Sequence, residues 1–267
     1  MKKLWRTLLT ALIIILLLAA LFSGWKIYSI QRGYHEASDR YNNLSGAVFS
    51  PQTGNAADNT APGTDDGTIV IGSEGPAERS PISIDFDELS LHSDAVVGWL
   101  YLPETAINYP VVQGRDNDYY LDHFIDGTPN VGGSLFADYT CPSDFSGRNT
   151  LIYGHNMRDG SMFALVDDYT DQAFYDAHPV MYLNTPQQNY RVDFFAGFTT
   201  DPESFVYTSA FAVDSDFTAF LNTVRYYSDF SSDVEVDASD RIVTLSTCTY
   251  SGDDVRFVLF GKLVEIE

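Results

Sequence analysis

The sequence predicts a mainly β fold, a barrel or closed sheet with helices in its connections, carried behind an N-terminal membrane-spanning helix. Three observations predict it. Short apolar and β-branched runs bounded by Gly, Pro, Asn or Asp recur from residue 96 to the C-terminus. One segment, 214–229, departs from that pattern: Phe217, Phe220, Leu221 and Val224 follow the i, i+3, i+4, i+7 spacing of an amphipathic helix. An uncharged apolar run occupies residues 7–22.

In chain order, Lys2, Lys3 and Arg6 precede the apolar run, which Leu4, Trp5 and residues 25–30 extend to the roughly 20 residues a bilayer requires. Trp5 and Trp25 take interfacial positions. A cleaved signal peptide needs a shorter apolar core and small residues before the cut. Here Leu21, Phe22 and Trp25 stand in that region, so the segment reads as an uncleaved anchor. The expected organisation is a cytoplasmic basic tail (1–6), a single-pass anchor (7–30), an extracellular stalk and flexible linker (31–80) and a folded domain (81–267). The stalk would continue as helix over 23–44, with Tyr28, Tyr34 and Tyr41 along it. Residues 45–80 have linker composition, with Ile69-Val70-Ile71 their only apolar cluster, and a flexible chain of that length spans roughly 30 Å.

Five of the 15 Lys+Arg (Lys2, Lys3, Arg6, Lys26 and Arg32) lie in or beside the anchor; the other ten face 37 Asp+Glu, a formal charge of −27 on the exterior part. Such a surface repels nucleic acid and anionic headgroups, so no nucleic-acid partner is expected and the charge reports solubility.

Within the domain, residues 85–92 read as a short helix and 96–102 and 107–112 as strands. Residues 116–124 read as another short helix, and 134–138 and 150–153 as short strands. Asp171 caps a helix ending before Pro179; strands 180–183 and 190–199 follow, then the helix at 214–229 and two last strands, 241–245 and 255–260.

Those last strands carry chemistry. The first delivers Cys248 to its end and the second brings Arg256 back beside it; upstream, His155 stands just past the strand at 150–153. A thiolate attacking an amide carbonyl creates an oxyanion that needs donors, and a leaving amine that needs a proton. His155 can supply the proton, and Arg256, always charged, suits the oxyanion but not the role of base. Each residue alone also fits a plain structural role: Cys248 as a small buried hydrophobe, His155 as a loop residue, Arg256 as a solvated or ion-paired cation. The other cysteine, Cys141, lies in a polar loop; pairing it with Cys248 would remove the nucleophile.

The segments Thr244-Leu245-Ser246-Thr247-Cys248, Arg256 on the next strand, and Tyr153-Gly154-His155-Asn156-Met157 upstream resemble the signature of sortases, surface transpeptidases of Gram-positive bacteria. Val97-Gly98-Trp99-Leu100-Tyr101-Leu102-Pro103, Tyr109-Pro110-Val111-Val112-Gln113-Gly114, Asp116-Asn117-Asp118-Tyr119-Tyr120-Leu121 and Gly133-Ser134-Leu135-Phe136-Ala137-Asp138-Tyr139 resemble the class B type, and the likeness covers nearly all of 81–267. The resemblance implies a closed β-barrel of about eight strands with added helices. It implies that Cys248 attacks the carbonyl of a Thr in the C-terminal sorting signal of a surface protein, leaving a thioacyl-enzyme. An amine, from a peptidoglycan precursor or a pilin lysine, then resolves it. His155 acts as acid and then base, Arg256 holds the oxyanion or the signal backbone, and Asn117, Tyr153, Ser246 and Thr247 are candidates for the substrate groove. It implies no cofactor, and Asp167, Asp168 and Asp171 form no claimable metal pattern.

Some features depart from the class B pattern or stand outside it. The Cys248–Arg256 connection is short and acidic, with Asp253 and Asp254 at its tip. The inhibitory lid with an Asp-Pro-aromatic motif, found in pilin-polymerising sortases of another class, has no counterpart before the barrel; Asp201-Pro202 lies later and precedes Glu203. Pilus building by a class B-like enzyme stays open. Ser50-Pro51-Gln52-Thr53-Gly54 resembles a sorting pentapeptide within the linker, but no apolar tail follows it. A papain-type protease would place its cysteine before its histidine, the reverse of the order here. A Cys-dependent L,D-transpeptidase would show a Ser-His-Gly-Cys-like segment. A non-enzymatic adhesin would leave Cys248 unreactive or paired with Cys141.

Overall fold

The computed structural model describes residues 2–52, 78–248 and 255–267. The chain begins with one continuous helix, α1 (Lys2–Val48). Apolar side chains from Leu8 to Phe22 are exposed along its first half, which is long and apolar enough to cross a membrane. Its second half is not a stalk standing clear of the domain. Tyr41, Leu44 and Val48 are buried in the main core, with Tyr34 packed partly against it. Their spacing of seven, three and four residues is one helical face.

The expected linker is shortened at both ends for the same reason. Strand β1 (Phe49–Pro51) pairs antiparallel with β2 (Ile82–Ile84), and the Gln52 N–H donates to the Pro81 carbonyl at 2.8 Å. Ser80, nearly fully buried, donates its N–H to the carbonyl of Glu267 at 2.9 Å. The domain therefore takes in residues well before 81, and α1 reaches it without a flexible tether. Ser50 and Pro51 of the pentapeptide lie in β1; Thr53, Gly54 and the Ile69-Val70-Ile71 cluster fall outside the described residues.

After α2 (Phe86–Ser90), whose first turn is capped by the Asp85 carboxylate accepting from the Glu88 N–H, the barrel begins. Its strands are β3 (Val96–Tyr101), β4 (Asn108–Gln113), β5 (Leu135–Ala137), β6 (Asn149–Gly154), β7 (Val180–Asn184), β8 (Asn189–Thr200), β9 (Ile242–Cys248) and β10 (Arg256–Ile266). They close in the order β10-β8-β7-β3-β4-β5-β6-β9. Neighbours run antiparallel except β4 with β5 and β6 with β9. This is the eight-stranded closed barrel expected, and closure leaves none of the eight with a free edge.

Two helices sit in the connections: α3 (Gln172–Ala177), capped by Asp171, and α4 (Asp214–Tyr227). Val243, Leu245, Phe257 and Leu259 face the barrel core, while Ile242, Val258 and Phe260 on the alternate positions pack with Phe217, Phe220, Leu221 and Val224 of α4. Both faces of β9 and β10 are therefore covered, so these strands read as near-continuous apolar runs.

The helix expected at 116–124 is not formed; only a 3-10 turn, Tyr119–Leu121, exists there. The backbone carbonyls at the end of this stretch are committed to tertiary partners. Tyr120 O accepts from the Ser134 N–H at 2.9 Å, Asp122 O from the Asn130 N–H at 2.9 Å, and Leu121 O bonds His155 at 2.6 Å. The Asp116 carboxylate accepts from the N–H groups of Asp118 and Tyr119 and starts the turn instead.

Leu44 separates a packed α1 from a free stalk. Leu44→Ala should cost about 2–4 kcal/mol and lower the urea midpoint of the full chain in detergent; an unchanged midpoint would mean that residue 44 does not belong to the core.

Candidate functional site

Three adjacent strands end at one rim of the barrel. β6 and β9 run parallel with Tyr153 beside Ser246 and Gly154 beside Thr247; one residue past that last rung stand His155 and Cys248. β9 and β10 run antiparallel with Cys248 directly opposite Arg256. Directly opposed residues of an antiparallel pair share one face of the sheet. The three residues that lie 93 and eight positions apart in the chain are thus brought to one edge by register alone.

His155 is placed from both sides. A Cβ at Gly154 would lie 2.4 Å from a Leu135 methyl and 2.6 Å from the Phe163 ring, so only glycine lets the chain turn here against the core. The His155 carbonyl accepts from the Phe163 N–H at 2.9 Å, and its Nε2 lies 2.6 Å from the Leu121 carbonyl oxygen. A carbonyl can only accept, so Nε2 carries a proton, and whenever the ring is neutral Nδ1 is its acceptor nitrogen.

A cleft of about 350 Å³ opens beside these residues. His155, Arg256 and all four groove candidates, Asn117, Tyr153, Ser246 and Thr247, line it together with Leu121, Phe136, Pro202 and Tyr207. A larger groove of about 730 Å³ between α1 and residues 122–131 contains none of the three reactive candidates.

The groove candidates differ in how their polar groups are used. Asn117 Nδ2 donates to Asp138 Oδ2 at 2.8 Å, and its Oδ1 accepts from the Tyr139 N–H at 3.1 Å. The Tyr153 hydroxyl donates to the same Asp138 oxygen at 3.1 Å. Burial and the neighbouring Asp138 charge push the Tyr153 hydroxyl far above its usual pKa, so it stays a donor. The Ser246 hydroxyl is 3.0 Å from that of Tyr207. The Thr247 hydroxyl is buried without a partner among the described residues. Cys141 is a free buried thiol whose Sγ donates to the Asn149 carbonyl at 3.7 Å, so it is not paired with Cys248. Asp253 and Asp254 fall outside the described residues.

A family profile described as "Sortase domain" matches residues 100–264. The chain is 42% identical over 171 residues to sortase B of Listeria monocytogenes, covering 63% of this chain and 70% of that protein.

The chain belongs to the sortase family.

It is a cysteine transpeptidase of the class B type. Its barrel is similar to a Staphylococcus aureus sortase B–substrate complex at a TM-score of 0.65 and 33% identity, covering 68% of this chain and 85% of that one. It is equally similar to a sortase B complexed with triglycine, at a TM-score of 0.65 and 33% identity over 68% of this chain and 86% of that one.

Sequence reasoning missed several parts of this sortase's cleft. Asp138 ties Asn117 to Tyr153; burial raises its carboxyl pKa, but the Thr140 hydroxyl and N–H, Asn117 and Tyr153 together hold it below the usual value. The signal was present, since an acidic residue directly after the buried Phe136-Ala137 pair has to find donors. The Leu121 carbonyl that orients His155 carries no side-chain signal. Tyr207, stacked on Tyr153 with ring centroids 6.2 Å apart, comes from a 3-10 turn, Phe205–Tyr207, in the connection between β8 and α4.

Asp167 adds a pH dependence next to the site. Asn156, the neighbour of His155, donates to Asp167 Oδ2 at 2.7 Å, while Oδ1 is buried without a partner among the described residues. Burial pushes this carboxyl from 3.8 up to about 6, against the bond from Asn156, with Asp168 adding to the rise. A raised carboxyl means that the folded state binds the proton more tightly than the unfolded state. Its contribution is therefore full below the unfolded value and lost as pH rises through about 6. The melting temperature of the wild type relative to Asp167→Asn should rise as pH falls from about 7 to about 4. A difference that is flat across that window would contradict the assignment.

Proposed function

We propose that this sortase cleaves the C-terminal sorting signal of surface proteins after Thr, through a thioacyl-enzyme on Cys248, and transfers the protein to an amine of peptidoglycan. The observation that carries the reading is the register that sets Cys248 opposite Arg256 and one residue past the Gly154–Thr247 rung, with His155 and Arg256 lining a single cleft. The Staphylococcus aureus sortase B–substrate complex supports a substrate groove in this barrel, and the sortase B complexed with triglycine, a peptide with an N-terminal amine, supports an amine acceptor.

The roles follow from the chemistry of each group. The Cys248 thiolate attacks the Thr carbonyl carbon, and the electron pair moves onto oxygen beside the Arg256 guanidinium, whose planar fork suits an oxyanion. When the tetrahedral intermediate collapses, the C–N bond breaks and protonated His155 gives its Nδ1 proton to the leaving amine. The acceptor amine then attacks the thioester, His155 takes up its proton, and the Cys248 thiolate leaves. Asn117, Tyr153, Ser246 and Thr247 form the walls that hold the signal. Ser246 and Tyr153 present surfaces whose hydroxyls are already engaged, so they fix shape rather than donate to substrate.

The first half of α1 anchors the enzyme in the membrane, with Lys2, Lys3 and Arg6 on the cytoplasmic side and the barrel outside. From Trp25 to Tyr34 the helix rises about 14 Å, so the barrel sits close to the headgroups, where membrane-bound acceptor precursors and freshly secreted substrates pass.

The test is mass spectrometry of the full chain in detergent with a panel of sorting-signal peptides and triglycine. An acyl adduct on Cys248, absent in Cys248→Ala, with cleavage after Thr and capture by triglycine, is expected. Product formed by Cys248→Ala would overturn the assignment. Arg256→Ala should retain the adduct but lower kcat/KM by about 10²–10³, the effect of losing one oxyanion donor; an unchanged value would remove Arg256 from the reaction.

A further inference from the structure

We infer that α1, which begins as the membrane anchor, also positions His155, and that Tyr41 is the residue through which it does so. The inference rests on the role proposed for His155 above. Tyr41 is only 4% exposed, and two separate routes run from it to the histidine.

The first route ends on the imidazole. The Tyr41 hydroxyl donates to the Gly133 carbonyl at 2.6 Å and lies 3.0 Å from the Ser134 hydroxyl. Gly133 has φ +56°, and a Cβ there would sit 2.5 Å from the carbonyl oxygens of both Tyr120 and Leu121. The Gly133 backbone is therefore pressed directly onto the carbonyl that receives Nε2–H of His155. Ser134 fixes the same segment, with its N–H donated to Tyr120 O at 2.9 Å and its hydroxyl to His123 O at 3.0 Å. This polar chain takes the place of the helix that residues 116–124 do not form.

The second route ends on the main chain. The Tyr41 ring meets the Tyr109 ring edge-on, with centroids 5.1 Å apart. The Tyr109 hydroxyl accepts from the Met162 N–H at 3.2 Å, and the next residue, Phe163, donates its N–H to the His155 carbonyl at 2.9 Å. One side chain of the anchor helix thus backs both walls between which His155 is held. Loss of the Tyr41 hydroxyl would free the Gly133 carbonyl, loosen the Leu121 carbonyl behind it, and weaken the preference for the Nε2–H tautomer that leaves Nδ1 available.

The test compares full-length wild type, Tyr41→Phe and Leu44→Ala in detergent micelles. Tyr41→Phe keeps the ring and removes only the donor. Its kcat for peptide transfer should fall about five- to tenfold, the rate equivalent of one lost hydrogen bond. KM for the sorting peptide should stay constant, the pH profile should shift, and nitrogen NMR of the His155 ring should show a reduced Nε2–H population. Leu44→Ala, which removes apolar packing from the same helix but leaves the Tyr41 hydroxyl and its partners, should lower the melting temperature further while leaving the tautomer and pH profile in place. Wild-type kcat and tautomer in Tyr41→Phe, or the same tautomer shift in Leu44→Ala, would overturn the inference. His155→Ala serves as the separate control. Wild-type turnover in that variant would remove the role of His155, while the NMR comparison would still decide whether Tyr41 sets its ring.

Discussion

Because β9 is hydrogen-bonded on both sides, to β6 in parallel and to β10 in antiparallel register, its last residue cannot slide along either neighbour without breaking two ladders. A slip of one residue would also turn Val243 and Leu245 out of the barrel core into the layer under α4 and bring Thr244 and Ser246 into their places. The burial of those side chains therefore fixes where Cys248 stands relative to both Arg256 and His155. The catalytic candidates sit at the ends of strands, which is the arrangement a group of reacting side chains needs.

Around that rung the polar groups of the cleft are largely settled before any substrate arrives. Asp138 holds Asn117 and Tyr153 with one oxygen and the Thr140 hydroxyl with the other. Ser246 is taken up by Tyr207. Such a cleft offers a preformed shape, and substrate binding need not spend energy on ordering it. His155 belongs to a different layer. Its ring is steered by a backbone carbonyl in a segment stitched together by tertiary bonds, and that segment rests on α1. The apolar helix that is long enough to cross a membrane thus continues, without a break in the helix, into the packing around the candidate site.

Much of this was legible in the sequence. The barrel strands could be read because their runs are β-branched and aromatic, and α4 because Phe217, Phe220, Leu221 and Val224 mark one face. Cys248, His155 and Arg256 are picked out by the short motifs that carry them, and register brings the three positions to one rim. The packing of α1 was equally present, in the spacing of Tyr34, Tyr41, Leu44 and Val48, but the polar composition that follows drew the domain boundary too late. The false helix at 116–124 has a deeper cause: helix-compatible residues there give their carbonyls to Ser134, Asn130 and His155, which are distant in sequence. The Leu121 carbonyl and the tight approach of Gly133 to it are backbone geometry, and no residue type encodes a carbonyl's direction.

The central claim is that register brings Arg256 and an oriented His155 beside the strand end that carries Cys248, the proposed nucleophile. A crystal structure of the full-length chain carrying a sorting-signal analogue covalently bound to Cys248 tests it most directly. The account predicts the carbonyl oxygen of the adduct within hydrogen-bond distance of the Arg256 guanidinium, His155 Nδ1 toward the bond being broken, and Nε2 still on Leu121. An adduct whose carbonyl points away from Arg256, or a His155 ring released from Leu121, would contradict it.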